Sequence, residues 1–207
     1  MSYTIEIKNR SGHAGRVYSF LSAKSTITGA GNNAGTTKSI TWFRSRKLDN
    51  GGTATFNFDN SYYGPRRKFT LGTDGILGLN EDCVFSVIPP DDENPVPGKN
   101  QLSIAASARL QPDNDVVGVS RGIDLGEGIT PAPINRVPLQ AGPTYTIAVN
   151  NAVYVKTATL NKQSIQASLD DDKTAFKLEF PYGKKKATVV EEINGNFSVT
   201  YARGGDN

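Results

Sequence analysis

The chain has 207 residues, a formal net charge of +3, one cysteine and one histidine. A lone cysteine excludes an intrachain disulfide, and one His with one Cys falls short of a four-ligand zinc set. The hydrophobic fraction of 37% is low and Gly (21) and Pro (11) are plentiful, a composition that suits many short strands joined by turns rather than long helices.

Period-two alternation dominates the chain in order. Tyr3, Ile5 and Ile7 alternate with Thr4, Glu6 and Lys8, and Asn9-Arg10-Ser11-Gly12 supplies turn chemistry. A second strand is expected over 15–23, a loop over 28–37, and a strand over 39–45 carrying Ile40, Trp42 and Phe43. Asn50-Gly51 favours a primed turn. Behind it, Ala54, Phe56 and Phe58 alternate with Thr53, Thr55, Asn57 and Asp59. Asn60 to Pro65 reads as a loop, Arg66 to Leu71 as a strand, and residues 83–88 as a buried strand that places Cys83 in the core.

Two irregular excursions are expected, at 89–99 and at 111–142, with only Val116 to Val119 strand-like in the second. Leu102 to Leu110 fits a strand or a short helix. Thr144 to Val149 and Val153 to Thr159 flank Asn150-Asn151 as a hairpin, because Asn tolerates the left-handed turn conformation. Strands over 164–169, 174–180, 188–193 and 197–202 follow. The pattern predicts one all-β domain over 1–207, an antiparallel two-sheet sandwich of jelly-roll type with about a dozen strands.

Few motifs carry chemistry. His13 follows a turn beside glycines, and no Gly-x-Ser-x-Gly elbow presents a nucleophile. Gly29-Ala30-Gly31-Asn32-Asn33-Ala34-Gly35 misses dinucleotide spacing by one residue and has no following helix. The acidic runs Asp91-Asp92-Glu93 and Asp170-Asp171-Asp172 lack the alternation of a calcium loop. They also interrupt any basic stripe joining Arg66-Arg67-Lys68 to Lys184-Lys185-Lys186, which argues against nucleic acid. No metal and no cofactor is expected. Asp59, Glu179 and Glu191 stand out among the acids as strand residues, and their default role is surface charge. No run approaches the roughly 20 apolar residues of a membrane span. Met1 to Lys8 lacks the pattern of a signal peptide, so the expected location is the cytoplasm.

The ligand-binding candidates cluster around one hairpin: Trp42, Asn57, Asp59, Asn60, Tyr62 and Tyr63. Aromatic faces stack on sugar C–H groups while amides and carboxylates fix hydroxyls. The same set also fits an apolar small-molecule pocket, and the plainest alternative buries Trp42 in the core.

Ile5-x-Ile7-x-Asn9-x-Ser11-Gly12 with Tyr18 and Phe20 resembles the start of uncharacterised small microbial β-sandwich proteins, fungal and bacterial. Pro143-Thr144-Tyr145-Thr146-Ile147 and Val153-Tyr154-Val155 are similar to their penultimate hairpin. Met1-Ser2-Tyr3-Thr4-Ile5 also resembles the beginning of fungal fruit-body lectins, with no binding residue carried over. The resemblance implies an all-β fold and no activity. Three readings stand: a non-catalytic binding module for a glycan or small organic ligand using loops at one end, an isomerase- or cyclase-type enzyme with an apolar pocket and a carboxylate, and a self-assembling protein whose edge strands form a homodimer.

Overall fold

The structure, a computed structural model, describes residues 2–29, 39–64, 67–69, 76–82, 85–88, 97–98, 100–111, 116–124, 128–160, 165–166, 169, 172 and 174–204. In chain order the strands are β1 (Ser2–Asn9), β2 (Tyr18–Ser22), β3 (Thr26–Thr28), β4 (Ser39–Arg44), β5 (Thr53–Gly64), β6 (Arg67–Phe69), β7 (Ile76–Leu79), β8 (Phe85–Ile88) and β9 (Gln101–Ala106). They continue with β10 (Val116–Asp124), β11 (Ile129–Pro138), β12 (Thr144–Ala148), β13 (Val153–Thr157), β14 (Ile165–Gln166), β15 (Ala175–Leu178), β16 (Lys186–Glu191) and β17 (Phe197–Ala202). No described residue is helical.

The all-β expectation holds, in a layout compatible with a β-sandwich. The finer expectation changes, because the described residues form seventeen strands in three sheets where about a dozen strands in two were expected. A seven-stranded sheet runs β11-β10-β5-β1-β16-β17 with β6 added to β5. The other two are five-stranded, β3-β12-β9-β7-β8 and β14-β4-β2-β13-β15. Pairing is antiparallel except for β1 with β16 and β7 with β9.

The alternation of β1 works as its sequence implies. Ile5 and Ile7 are fully buried between Phe56 and Ala54 of β5 and Ala187 and Val189 of β16, while Thr4, Glu6 and Lys8 stay half-exposed. Strand β2 is central in its sheet and buried on both faces. Its Tyr18 and Phe20 join the main core, and Leu21 joins a second cluster with Ala23, Ala152, Tyr154 and Leu169. The main core draws on all three sheets. At its centre, Phe56 meets Phe20 and Phe43 with ring centroids 4.4 and 4.5 Å apart.

The Asn9-Arg10-Ser11-Gly12 signature proves structural. Asn9 is fully buried, and its amide donates to the carbonyls of His13 (2.7 Å) and Leu48 (3.0 Å). Its Oδ1 accepts from the Ser11 amide and hydroxyl. His13 itself is exposed.

Three sequence expectations change, and one open alternative is decided. Asn60 to Gly64 continues β5 instead of looping, because β6 and β10 both pair there, Phe69 and Arg121 flanking Tyr62. Much of the expected excursion at 111–142 is the hairpin β10–β11. Its prolines misled the sequence reading: β11 is an edge strand, where Pro131 and Pro133 need no outward N–H to complete a ladder. The segment after Gln101 is strand β9 and not helix. Finally, β12 and β13 do not pair with each other. β12 lies between β3 and β9 and β13 between β2 and β15, so Asn150-Asn151 is a crossover between sheets. Strands β3 and β7, three and four residues long, are too short for alternation to reveal them. Of the loop expected at 28–37, Thr28 ends β3, and residues 30–37 lie outside the described residues, as do Cys83 and nearly all of 89–99.

Candidate functional site

The edge strands β15 and β17 run side by side, and alternate residues of each face the seam between their sheets. Phe176 packs on Phe197 (5.7 Å) and Phe180 on Tyr201 (6.0 Å). Leu178, between the two, is fully buried. The Glu179 backbone hydrogen-bonds the Tyr201 phenol. Burial raises the pKa of that phenol, the backbone bond opposes the rise, and the Glu179 charge adds to it. Two clefts lie toward the ends of these strands, one at Phe180 and the other at Phe176 and Phe197.

The first cleft, of about 340 Å³, is lined by Tyr3, Phe58, Asn150, Asn151, Ala152, Glu179 and Phe180. Tyr3 and Phe58 are register partners on β1 and β5 and stack with centroids 5.3 Å apart at 15°. Phe180 meets both edge-on, at 4.9 and 5.8 Å. The sheet-to-sheet crossover brings Asn150 and Asn151 to this wall, and Asn150 Oδ1 accepts the Ala152 amide (3.0 Å), fixing the turn. Glu179 lies at the exposed rim beside Lys177, 2.6 Å away.

Behind this wall lies Arg121, only 2% exposed. Its guanidinium carbon sits 5.2 Å from the Phe58 ring centre and 5.7 Å from that of Trp42. Its Nη2 donates to Asn151 Oδ1 at 2.7 Å. The cation therefore backs one cleft ring and fixes which way the Asn151 amide is turned.

The second cleft, of about 560 Å³, is lined by Thr157, Thr174, Ala175, Phe176, Glu191, Gly195, Asn196 and Phe197. Glu191 ends β16 with only 2% exposure. Tyr18 donates to its Oε2 at 2.6 Å and Thr157 to its Oε1 at 3.2 Å, while the Arg16 guanidinium lies 3.5 Å from Oε1. Burial, then the hydrogen bond and charge of Glu191, push the Tyr18 phenol far above its ordinary pKa, and Arg16 pulls slightly the other way. Asp172, which accepts from the lining residue Thr174, pairs with Lys156 (2.6 Å), and these bonds hold its pKa at about 2. Gly195, at φ +78°, lets the β16–β17 turn pass this wall in a conformation that other residues rarely adopt.

Among the sequence candidates, Trp42 is a core residue, 4% exposed, with its ring edge-on to Phe58 (5.4 Å) and Phe56 (6.4 Å). Its indole Nε1 makes no hydrogen bond among the described residues. Asn57 accepts the Thr4 hydroxyl at 2.8 Å, and Asp59 is buried at 7% exposure. Both alternate with Phe58 and so point to the other face of β5. None of these three lines either cleft. The side chains of Asn60, Tyr62 and Tyr63 lie outside the described residues.

Glu179 and Glu191, singled out as strand acids, each line a cleft. Glu191 departs from the expected surface charge because three donors offset its desolvation. Phe180, Asn150 and Asn151 escaped the sequence reading as a group. Their signal was the run of polar turn residues at 150–151 and an aromatic next to an acid at 179–180, but nothing local joins the two segments. Among the described residues no three His, Cys, Asp or Glu side chains converge as metal ligands, and no helix is long and apolar enough to cross a membrane.

No family model, curated protein or solved structure matches this chain.

Proposed function

We propose that the protein is a non-catalytic carbohydrate-binding module whose site is the cleft of Tyr3, Phe58 and Phe180. The observation that carries this reading is the meeting of three packed rings with Asn150, Asn151 and Glu179 in one open cleft. Apolar faces suit the C–H surface of a sugar ring, while amide and carboxylate groups suit its hydroxyls. The volume falls within the roughly 300–1,000 Å³ of small-ligand sites. The polar groups come from connections between strands, where binding residues gather on a rigid scaffold. We read that scaffold as a two-layer sandwich in one cytoplasmic domain, with the seven-stranded sheet facing the sheet of β2, β4 and β13. Supporting this layout are the contacts Tyr18–Glu191, Phe20–Phe56 and Trp42–Phe58.

A glycan array followed by calorimetry on its best ligand tests the reading. Phe180→Ala removes a ring without opening the core centre and weakens binding at least about tenfold, near 1.4 kcal/mol. A protein that leaves a broad array bare, or binds a glycan equally well without Phe180, does not work this way.

A further inference from the structure

We infer that the cleft at Glu191 is a second carbohydrate site, so that a single chain is bivalent; this rests on the reading of the first cleft as a sugar site.

Three observations carry the inference. The wall repeats the chemistry of the first cleft: two rings, Phe176 and Phe197, tilted by 31° and both half-buried, beside an amide-bearing residue, Asn196, and a carboxylate. The carboxylate is held in advance. Glu191 is fixed by Tyr18 from β2, Thr157 from β13 and Arg16 from the segment before β2, so ordering it costs a ligand little. Glu191, almost wholly buried, offers the cleft a narrow polar edge in which Oε2 accepts from Tyr18 and Oε1 from Thr157.

The third observation is charge, which selects the ligand class. Among the lining residues Glu191 alone is charged, and Arg16 balances it. A cleft with its charge already paired gives an organic cation or anion no net attraction. An uncharged ligand rich in hydroxyls fits its Thr157, Asn196 and Glu191 groups with its face on the rings.

The two clefts lie at opposite ends of the strands. Phe176 and Phe180 are four residues apart, about 13 Å of extended chain. The register agrees: Thr157 pairs with Tyr18 at the Glu191 end, while Val153 pairs with Ser22 at the Asn151 end. Two sugars can therefore be held at once, and one chain can bridge two glycans.

Native mass spectrometry and calorimetry on the whole chain test this with a fixed panel: methyl glycosides of glucose, galactose, mannose and N-acetylglucosamine, with lactose, cellobiose, maltose and chitobiose. The expected result is two ligands per chain, falling to one in Phe197→Ala and one in Phe180→Ala, with none in the double variant. The unmodified monomer should also cross-link beads coated with the bound sugar, and each single variant should not. Asn196→Ala, on the exposed turn, guards against a folding defect in Phe197→Ala and should weaken the second binding event about tenfold. One ligand per chain, lost with Phe180→Ala and untouched by Phe197→Ala and Asn196→Ala, overturns the second site and leaves the first. A second ligand unaffected by both variants places it elsewhere and also overturns the inference. A panel that finds no ligand, or a single ligand lost only with Phe197→Ala, overturns both readings.

Discussion

The two ends of the seam between β15 and β17 each hold a buried charge, and they accommodate it differently. Arg121 holds its guanidinium 5.7 and 5.2 Å from the ring centres of Trp42 and Phe58 and donates to Asn151. Glu191 lies among hydrogen-bond donors, with Tyr18, Thr157 and Arg16 converging on its two oxygens. A guanidinium is weakly hydrated and stacks on aromatic faces, so rings shelter it well. A carboxylate accepts hydrogen bonds only, so its burial demands donors. The first arrangement ties a cleft wall to the aromatic core, while the second ties β16 of one sheet to β2 and β13 of another.

Substitutions sharpen the contrast. The largest effect is expected for Glu191→Ala, which leaves the Tyr18 and Thr157 hydroxyls without their acceptor and removes the carboxylate beside Arg16. Leaving a buried donor unsatisfied costs about 1–3 kcal/mol for each hydroxyl, read as a shift in the urea midpoint. A loss below about 1 kcal/mol would show that the sheets are held together without the network.

Tyr18→Phe is expected to cost about 1–2 kcal/mol at neutral pH, through the lost donor to Glu191. It also changes the alkaline limb of stability. The fold raises the Tyr18 pKa, so above about pH 10 the unfolded chain releases a proton that the native phenol keeps, and stability falls as pH rises. Burial raises Tyr145 and Tyr201 in the same direction, so the variant flattens the slope between pH 10 and 12 without abolishing it. An unchanged slope would mean that Tyr18 ionises as it does in the unfolded chain.

The smallest effect is expected for Arg121→Met, because an apolar side chain of similar length suits a site walled by Trp42 and Phe58. The contacts with the two rings that it gives up are worth about 0.5–2 kcal/mol, read as a shift in the urea midpoint. Sugar affinity should nonetheless drop, as Asn151 loses the donor that orients its amide. A stability loss like that of Glu191→Ala would erase the distinction between the two ends.

How far the sequence could be read depends on how local each feature is. β1, β4 and the β16–β17 hairpin follow from alternation and from turns such as Asn194-Gly195-Asn196. The hairpin β10–β11 was hidden by prolines that only an edge position accommodates. At the site, Glu179 and Glu191 could be noticed as acids on strands, but their different fates could not. One stays at an exposed rim, and the other meets a tyrosine 173 residues away in sequence. Trp42 was visible among a concentration of rings, and it packs edge-on behind the cleft ring Phe58.

The sequence by itself determined that the chain is all-β and which face of β1 and β5 is apolar, because side chains alternate across a strand whatever it pairs with. Only the tertiary structure decided which strands pair, since every strand offers the same N–H and C=O groups to any neighbour. β12 and β13 show this best: a sequence that reads as a hairpin is instead a crossover, and that crossover brings Asn150 and Asn151 to the rings of Tyr3, Phe58 and Phe180.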